Sequence, residues 1–157
     1  MSKHRKWVLP FLLISSLLTA NAQVASTLQG AWQLRSQKID GKEQQITGIR
    51  LRILSSGHFA WVNQDRKKLE ELLARRTAHD SVVAYHDDCG AGTWTVKGDV
   101  YTERTEVFYN PANIGTSIDW KFRLEGDLWY TTGHYRHFSN GKVDEDLLLE
   151  EVWKRLD

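Results

Sequence analysis

The sequence predicts an all-β protein, an antiparallel up-and-down barrel of about eight strands with one short helix. Short segments in which apolar and polar residues alternate recur along the chain, as strands with one buried and one wet face require. Turns that contain glycine separate these segments, and both prolines, Pro10 and Pro111, fall outside the predicted strands. Successive hairpins of this kind indicate a meander rather than βαβ units.

The clearest strand is predicted over 114–124. Its even positions run from Ile114 through Trp120 to Leu124 and are apolar or Thr, whereas its odd positions are polar, charged or Gly. Tight turns are indicated at Lys97-Gly98-Asp99 and Glu125-Gly126-Asp127. The other predicted strands span residues 28–38, 48–54, 58–63, 92–96, 99–109, 128–137 and 147–156.

One segment departs from the strand pattern and predicts the short helix. Residues 65–76 contain neither Gly nor Pro and place Leu69, Leu72 and Leu73 at helical spacing. The helix is expected either to plug one end of the barrel as a lid or to bind a partner. A further alternative is weak contact between its basic residues and an anionic surface.

The first 22 residues have the pattern of a secretory signal peptide. Lys3, Arg5 and Lys6 precede an apolar run over 7–18, and Ala20-Asn21-Ala22 is a small-x-small cleavage pattern. The run is shorter than the roughly 20 residues that a membrane-spanning helix needs. We therefore expect cleavage after Ala22, a mature domain over 23–157, and a secreted or periplasmic location.

Length and charge limit the classes of function. The predicted mature length suits one domain with one core. The chain carries 21 basic and 20 acidic residues, and the predicted signal removes three basic residues and no acidic one. A slightly acidic mature chain does not have the basic footprint of a nucleic-acid-binding protein. Cys89 is the single cysteine, so packing must stabilise the domain, and its many aromatic rings can fill a core or line a pocket.

The two ends of the mature chain carry a family resemblance. Leu28-Gln29-Gly30-Ala31-Trp32 and Glu151-Val152-Trp153-Lys154-Arg155 resemble the lipocalin and calycin group, in which a Gly-x-Trp on the first strand is packed by a basic side chain from the last. The resemblance implies a barrel closed by Gly30, Trp32 and Arg155. The stretch 90–109 is similar to the bacterial lipocalin-like domain of exported proteins of unknown function, which implies a fold and not an activity.

Strand alternation predicts which side chains face the barrel interior. If the turn at Lys97-Gly98 has two residues, Trp94 and Val96 share a face with the odd positions 101–109, among them Tyr101 and Glu103. A bulge near either predicted turn would reverse this assignment. The predicted ligand-contacting residues are Trp94, Tyr101, Glu103, Thr105, Trp120, Phe122, Trp129 and Tyr135.

Aromatic walls with a few polar anchors suit a small hydrophobic or amphipathic ligand. The alternative is a barrel that side chains fill completely and that acts through protein interaction or inhibition. Glu103 is expected either to anchor the ligand or to be satisfied within the protein.

Catalytic and metal-binding patterns are weak, so no catalytic residue, metal or other cofactor is predicted. His134 and His137 are three residues apart, which on a strand places them on opposite faces. Cys89 lies between Asp88 and Gly90, where a carboxylate disfavours the reactive thiolate. The remaining enzymatic alternative is a calycin-type enzyme in which Glu103 and Tyr101 act as acid and base.

Overall fold

The computed structural model describes residues 25–65, 67, 70, 74, 88–139 and 142–156. A helical turn over 25–28 leads into the first strand, and a 3₁₀ helix spans Pro111–Asn113. The strands among the described residues are β1 (Gly30–Ile39), β2 (Lys42–Glu43), β3 (Gly48–Ser55), β4 (His58–Asp65), β5 (Asp88–Lys97), β6 (Val100–Phe108), β7 (Ser117–Glu125), β8 (Leu128–Ser139) and β9 (Lys142–Arg155).

The strands form a closed antiparallel barrel, which confirms the predicted fold class. Each of the strands from β3 to β8 pairs with the next along the chain, and β1 pairs with both β3 and β9. Trp32 of β1 lies opposite Arg155 of β9 at this seam. The two-residue β2 only extends the end of β1, so eight strands close the barrel.

Strand alternation agrees with burial most clearly in β7. Ile118, Trp120, Phe122 and Leu124 are buried or half-buried, whereas the odd positions of β7 are exposed. The hairpin that follows turns at Gly126, whose φ of +60° is a conformation that side chains other than glycine rarely adopt. The sequence pattern and the turn chemistry therefore fix the same register.

A β-bulge in β6 overturns part of the predicted interior. Gly92 lies opposite Thr105 but Ala91 lies opposite Val107, so β6 carries an extra residue at this point. Alternation is reversed beyond the bulge. Val107 and Tyr109, predicted to face inward, are 62% and 61% exposed, and Phe108 points into the barrel instead.

Other boundaries also differ from the sequence prediction. Leu28 lies in the helical turn rather than in β1, and β9 begins at Lys142 rather than Leu147. Residues 114–116 precede β7, because the 3₁₀ helix and the turn at Gly115 intervene.

Indole rings fill the half of the barrel in which the chain enters and leaves. Trp32 and Trp129 have ring centroids 5.4 Å apart, and Tyr101 meets Trp129 edge-on at 5.3 Å. Arg155 covers this end from outside, with its guanidinium 4.2 Å from the centre of the Trp32 ring. Each of these rings buries a large apolar area, so this half is a solid core without room for a guest.

Two predicted segments fall largely or wholly beyond the described residues. Of the predicted helix over 65–76, Lys67, Glu70 and Ala74 are described and helical, while Asp65 ends β4. The rest of that helix and the whole of the predicted signal peptide lie outside the described residues. Among the residues that are described, no helix is long and apolar enough to cross a bilayer.

Candidate functional site

The other half of the barrel contains a cavity of about 280 Å³ that is open to solvent on one side. Strand ends and the β6–β7 connection surround it, on the side opposite the tryptophan-filled half. Its volume is near the lower limit of ligand pockets, which range from about 300 to 1,000 Å³. Its apolar wall includes Ile39, Trp61, Phe108, Ile118, Leu147 and Leu149.

Trp61 lies in this wall because β5 offers it a glycine. Gly90 is paired with Trp61 across the β4–β5 ladder, and a Cβ at Gly90 would overlap the indole ring. The ring also stacks against Phe59, 5.6 Å away, and contacts Phe108 at 5.4 Å. A small residue on β5 therefore lets a large ring from β4 lie flat against the sheet and leaves the centre of the cavity open.

Arg52 forms the charged floor of the cavity. Its Nε is 3.4 Å from Glu103 Oε1, and its Nη2 is 3.9 Å from Glu151 Oε2. The guanidinium lies 4.5 Å from the centre of the Trp153 ring, which adds a cation–π attraction. Burial by itself lowers the pKa of Arg52, but Glu103 and Glu151 outweigh that effect and raise it, so the side chain stays charged.

The carboxylate of Glu103 is satisfied within the protein. Tyr101 donates its hydroxyl to Oε1 at 2.7 Å, and the Trp120 indole donates to Oε2 at 3.1 Å. Burial, together with the charge of Glu103, raises the pKa of Tyr101 well above 10, so the phenol keeps its proton and acts as a donor. This geometry supports a positioning role for Glu103, which holds Arg52 in place.

Glu151 makes a second, similar set of contacts. It accepts hydrogen bonds from Gln37 at 2.8 Å and from the Trp153 indole at 3.1 Å. Arg50 in turn donates to Gln37 Oε1 at 2.6 Å, which brings a second arginine into the network. Arg52 is thus the cation that contacts both glutamates, and Arg50 joins the network through the amide of Gln37.

Three buried polar atoms of cavity-lining residues lack a hydrogen-bond partner among the described residues: Arg52 Nε, Arg52 Nη1 and Asn113 Oδ1. Arg52 Nε lies 3.4 Å from Glu103 Oε1, so the two that remain are the donor Arg52 Nη1 and the acceptor Asn113 Oδ1. Arg52 is 7% exposed, Asn113 is 4% exposed, and both line the cavity. Buried polar groups are normally paired, so two orphans in one cavity mark positions where a bound molecule can supply the partner.

The predicted ligand-contacting residues divide between the two halves of the barrel. Glu103, Thr105, Trp120 and Tyr135 line the cavity. Trp94, Tyr101 and Trp129 are buried in the filled half, and Phe122 packs against it.

Sequence reasoning missed Arg52, Glu151 and Asn113. The sequence held no signal for Arg52, because β3 carries Arg50 and Arg52 on one face and Ile49 and Ile53 on the other, yet Ile49 and Ile53 are the exposed pair. A signal for Glu151 was available, since it shares a face of β9 with the buried Leu149 and Trp153 and a charge on an apolar face is unusual. Asn113 gave no such signal, because it lies in a connection where asparagine is ordinary.

The two histidines considered as metal ligands bind separate carboxylates instead. His134 Nδ1 is 2.8 Å from Asp146, and His137 Nδ1 is 2.9 Å from Asp144. A hydrogen bond from Arg136, with a second from His134, lowers the pKa of Asp146. Within the described part of the chain, no group of three or more histidine, cysteine or acidic side chains is arranged to hold a metal ion.

Comparison with known proteins gives likeness of structure only. No family model matches the chain, and no curated protein matches it. A lipocalin-like protein from Bacteroides uniformis superposes with a TM-score of 0.49 and 12% identity, over 82% of this chain and 98% of that one. An uncharacterized protein from Bacteroides eggerthii gives a TM-score of 0.46 and 14% identity, over 81% and 98%. At these identities and TM-scores, neither protein carries a conclusion about what this barrel binds.

Proposed function

We propose that the barrel binds a small amphipathic molecule in its cavity, as a carrier or sequestering protein. The observation that carries this proposal is a cavity of about 280 Å³ with apolar walls and a charged floor, in a barrel whose other half is solidly packed. Apolar walls supply most of the affinity and a few fixed polar groups supply orientation. A barrel that acted through its surface alone would be expected to be filled throughout.

A cavity-filling substitution tests this proposal. Leu147 lines the cavity and its neighbour Leu148 does not, so Leu147→Trp and Leu148→Trp form a matched pair on β9. Protein purified from its own host is analysed by native mass spectrometry, and methyl octanoate and 1-octanol are titrated against it by tryptophan fluorescence. Trp61, Trp120 and Trp153 line the cavity and serve as reporters.

We expect wild type and Leu148→Trp to bind the probes with Kd on the order of 1 to 100 µM, as about ten non-hydrogen atoms allow. Leu147→Trp should lose binding while keeping its β-sheet circular dichroism. Ile118→Phe, which narrows the same cavity, serves as the second variant if Leu147→Trp fails to fold. The proposal is wrong if the wild-type protein carries no small molecule and binds neither probe.

We also propose that the mature chain acts outside the cytoplasm, on the basis of the signal-peptide pattern over 1–22. Intact-mass analysis of protein from the periplasm or medium should give a chain that begins at Gln23. A full-length chain that stays in the cytoplasm would contradict this part of the proposal.

A further inference from the structure

The two orphan polar atoms at the cavity narrow the class of ligand. Resting on the proposed function, we infer that the cavity takes a small uncharged molecule with a carbonyl acceptor directed to Arg52 Nη1 and a hydroxyl or N–H donor directed to Asn113 Oδ1. Hydroxylated esters, ketones, lactones and amides of about ten non-hydrogen atoms belong to this class. Three observations support the inference: both atoms lack a partner among the described residues, the charges around Arg52 are already matched by carboxylates, and the cavity is small.

Two nitrogens of Arg52, Nε and Nη1, lack a hydrogen bond within the described part of the chain, and of these Nη1 is the one without a close carboxylate. Glu103 attracts Nε, Glu151 attracts Nη2, and the Trp153 ring supports one face of the guanidinium. Nη1 has no partner among the described residues. A guanidinium cannot lose its proton at ordinary pH, so this N–H remains a donor that a ligand oxygen can satisfy.

Asn113 is fixed with its oxygen as the available group. Its Nδ2 donates to the carbonyl of Arg136 at 3.3 Å, which identifies Oδ1 as the acceptor. The connection around it is ordered by its own hydrogen bonds: Asn110 Oδ1 accepts from the backbone N–H of Ala112 at 3.1 Å, and Thr116 donates to the carbonyl of Asn113 at 2.6 Å. Asn113 therefore holds a fixed, buried acceptor oxygen in a residue that lines the cavity.

The charge balance of the cavity favours an uncharged ligand. Arg52 contacts both Glu103 and Glu151, whereas Arg50 reaches Glu151 only through the amide of Gln37, so the positive charge at Arg52 is already matched by carboxylates. A ligand carboxylate at Arg52 would lie beside both glutamates, and like charges at close range in a buried site repel strongly. A carbonyl oxygen accepts the same hydrogen bond without adding charge.

The volume sets the size of the ligand. A cavity of 280 Å³ corresponds to about nine water molecules at roughly 30 Å³ each. Esters with acyl chains of six to ten carbons have about this volume. A molecule as large as a sterol would extend out of the open side of the cavity.

The experiment compares ligands that differ by one group. Methyl esters of six, eight and ten carbons are measured by isothermal titration calorimetry with and without a terminal hydroxyl. Sodium octanoate and 1-methoxyoctane test the charge and the carbonyl. The wild-type protein is compared with Asn113→Leu and with Ala112→Leu, an exposed position in the same connection.

The hydroxylated ester of best-fitting length should bind about three- to tenfold more tightly than its parent ester, as one net hydrogen bond predicts. This ratio should fall to about one in Asn113→Leu and persist in Ala112→Leu. Octanoate and 1-methoxyoctane should bind at least about threefold more weakly than methyl octanoate, because each loses a favourable contact at Arg52. The wild-type ratio alone tests the inference if Asn113→Leu fails to fold.

The possible failures are distinguishable. If the esters bind but the hydroxyl gives no advantage at any chain length, or if octanoate binds more tightly than its ester, the inference is wrong and the proposed function remains. If no probe binds and native mass spectrometry finds no bound molecule, both are wrong.

Discussion

Replacing Arg52 by methionine should lower the free energy of unfolding strongly, because one substitution removes the cation that two buried glutamates share. The substitution keeps most of the side-chain volume but leaves Glu103 and Glu151 buried without their cation, at sites where these glutamates are 4% and 6% exposed. Removal of one member of a buried ion pair typically costs about 3–5 kcal/mol. Domains of this size are stable by only about 5–15 kcal/mol, so the free energy of unfolding should fall by roughly a fifth or more.

Urea unfolding followed by tryptophan fluorescence measures this loss. Arg123→Met is the matched control, since Arg123 forms its ion pair with Glu125 on the surface, with half or more of each side chain exposed. Such pairs contribute little, and the control should unfold close to wild type.

A second comparison separates charge from packing. The triple variant Arg52→Met, Glu103→Gln, Glu151→Gln removes all three charges together, and neutral replacement of a buried ionic group is often without cost or even stabilising. It should therefore be more stable than Arg52→Met alone. A single variant that loses less than about 1 kcal/mol, or a triple variant that is the less stable of the two, would refute the electrostatic account.

Three further predictions follow from the barrel interior. Tyr101→Phe should lower stability by about 1–3 kcal/mol, because Glu103 loses a buried donor. The raised pKa of Tyr101 also makes wild-type stability fall as the pH rises above 10, and urea titrations from pH 9 to 11 should show a smaller fall in Tyr101→Phe. Gly90→Ala should push the Trp61 ring into the cavity. The free energy of methyl octanoate binding should therefore fall by more than the free energy of unfolding. Arg155→Met should cost about 1–2 kcal/mol in urea unfolding through lost contacts with Trp32 and the backbone carbonyl of Gln29.

Each of these has an outcome that contradicts it. If the free energy of unfolding falls equally steeply from pH 9 to 11 in wild type and Tyr101→Phe, the Tyr101 phenol does not contribute to the loss of stability. Ala91→Ser, on the outer face beside Gly90, is the control for the cavity, and equal probe binding by Gly90→Ala and Ala91→Ser would exclude displacement of the ring. An Arg155→Met protein as stable as wild type would mean that the strand pairing alone closes the barrel.

The sequence predicted the barrel because alternation and turn chemistry act locally. β7 shows this best, since its buried and exposed positions follow the sequence pattern residue by residue. The pattern failed at Val107 and Tyr109, because one extra residue in β6 reverses every later side chain. No local feature marks that bulge: it depends on Gly92, where a Cβ would overlap the backbone of Arg104 on the neighbouring strand.

The candidate site was only partly predictable for a related reason. Glu103 and Trp120 could be assigned to the interior from their own strands. Their partner Arg52 comes from β3, and which cation meets which carboxylate depends on the shape of the closed barrel. The same holds for Asn113, which is buried because its connection folds against β8. Alternation predicts which side chains of one strand point into the barrel. A site also depends on how the side chains of several strands lie relative to one another.

The orphan nitrogen of Arg52 is the reason to regard the polar floor as functional. An unpaired buried donor costs about 1–3 kcal/mol, and a barrel selected for stability alone would gain from an apolar layer at this level. The triple variant should therefore keep its fold yet bind methyl octanoate no better than 1-methoxyoctane, since the group that distinguishes a carbonyl from an ether is gone. If instead it still prefers the ester by the wild-type ratio, Arg52 does not contact the carbonyl, and its charge serves the fold alone.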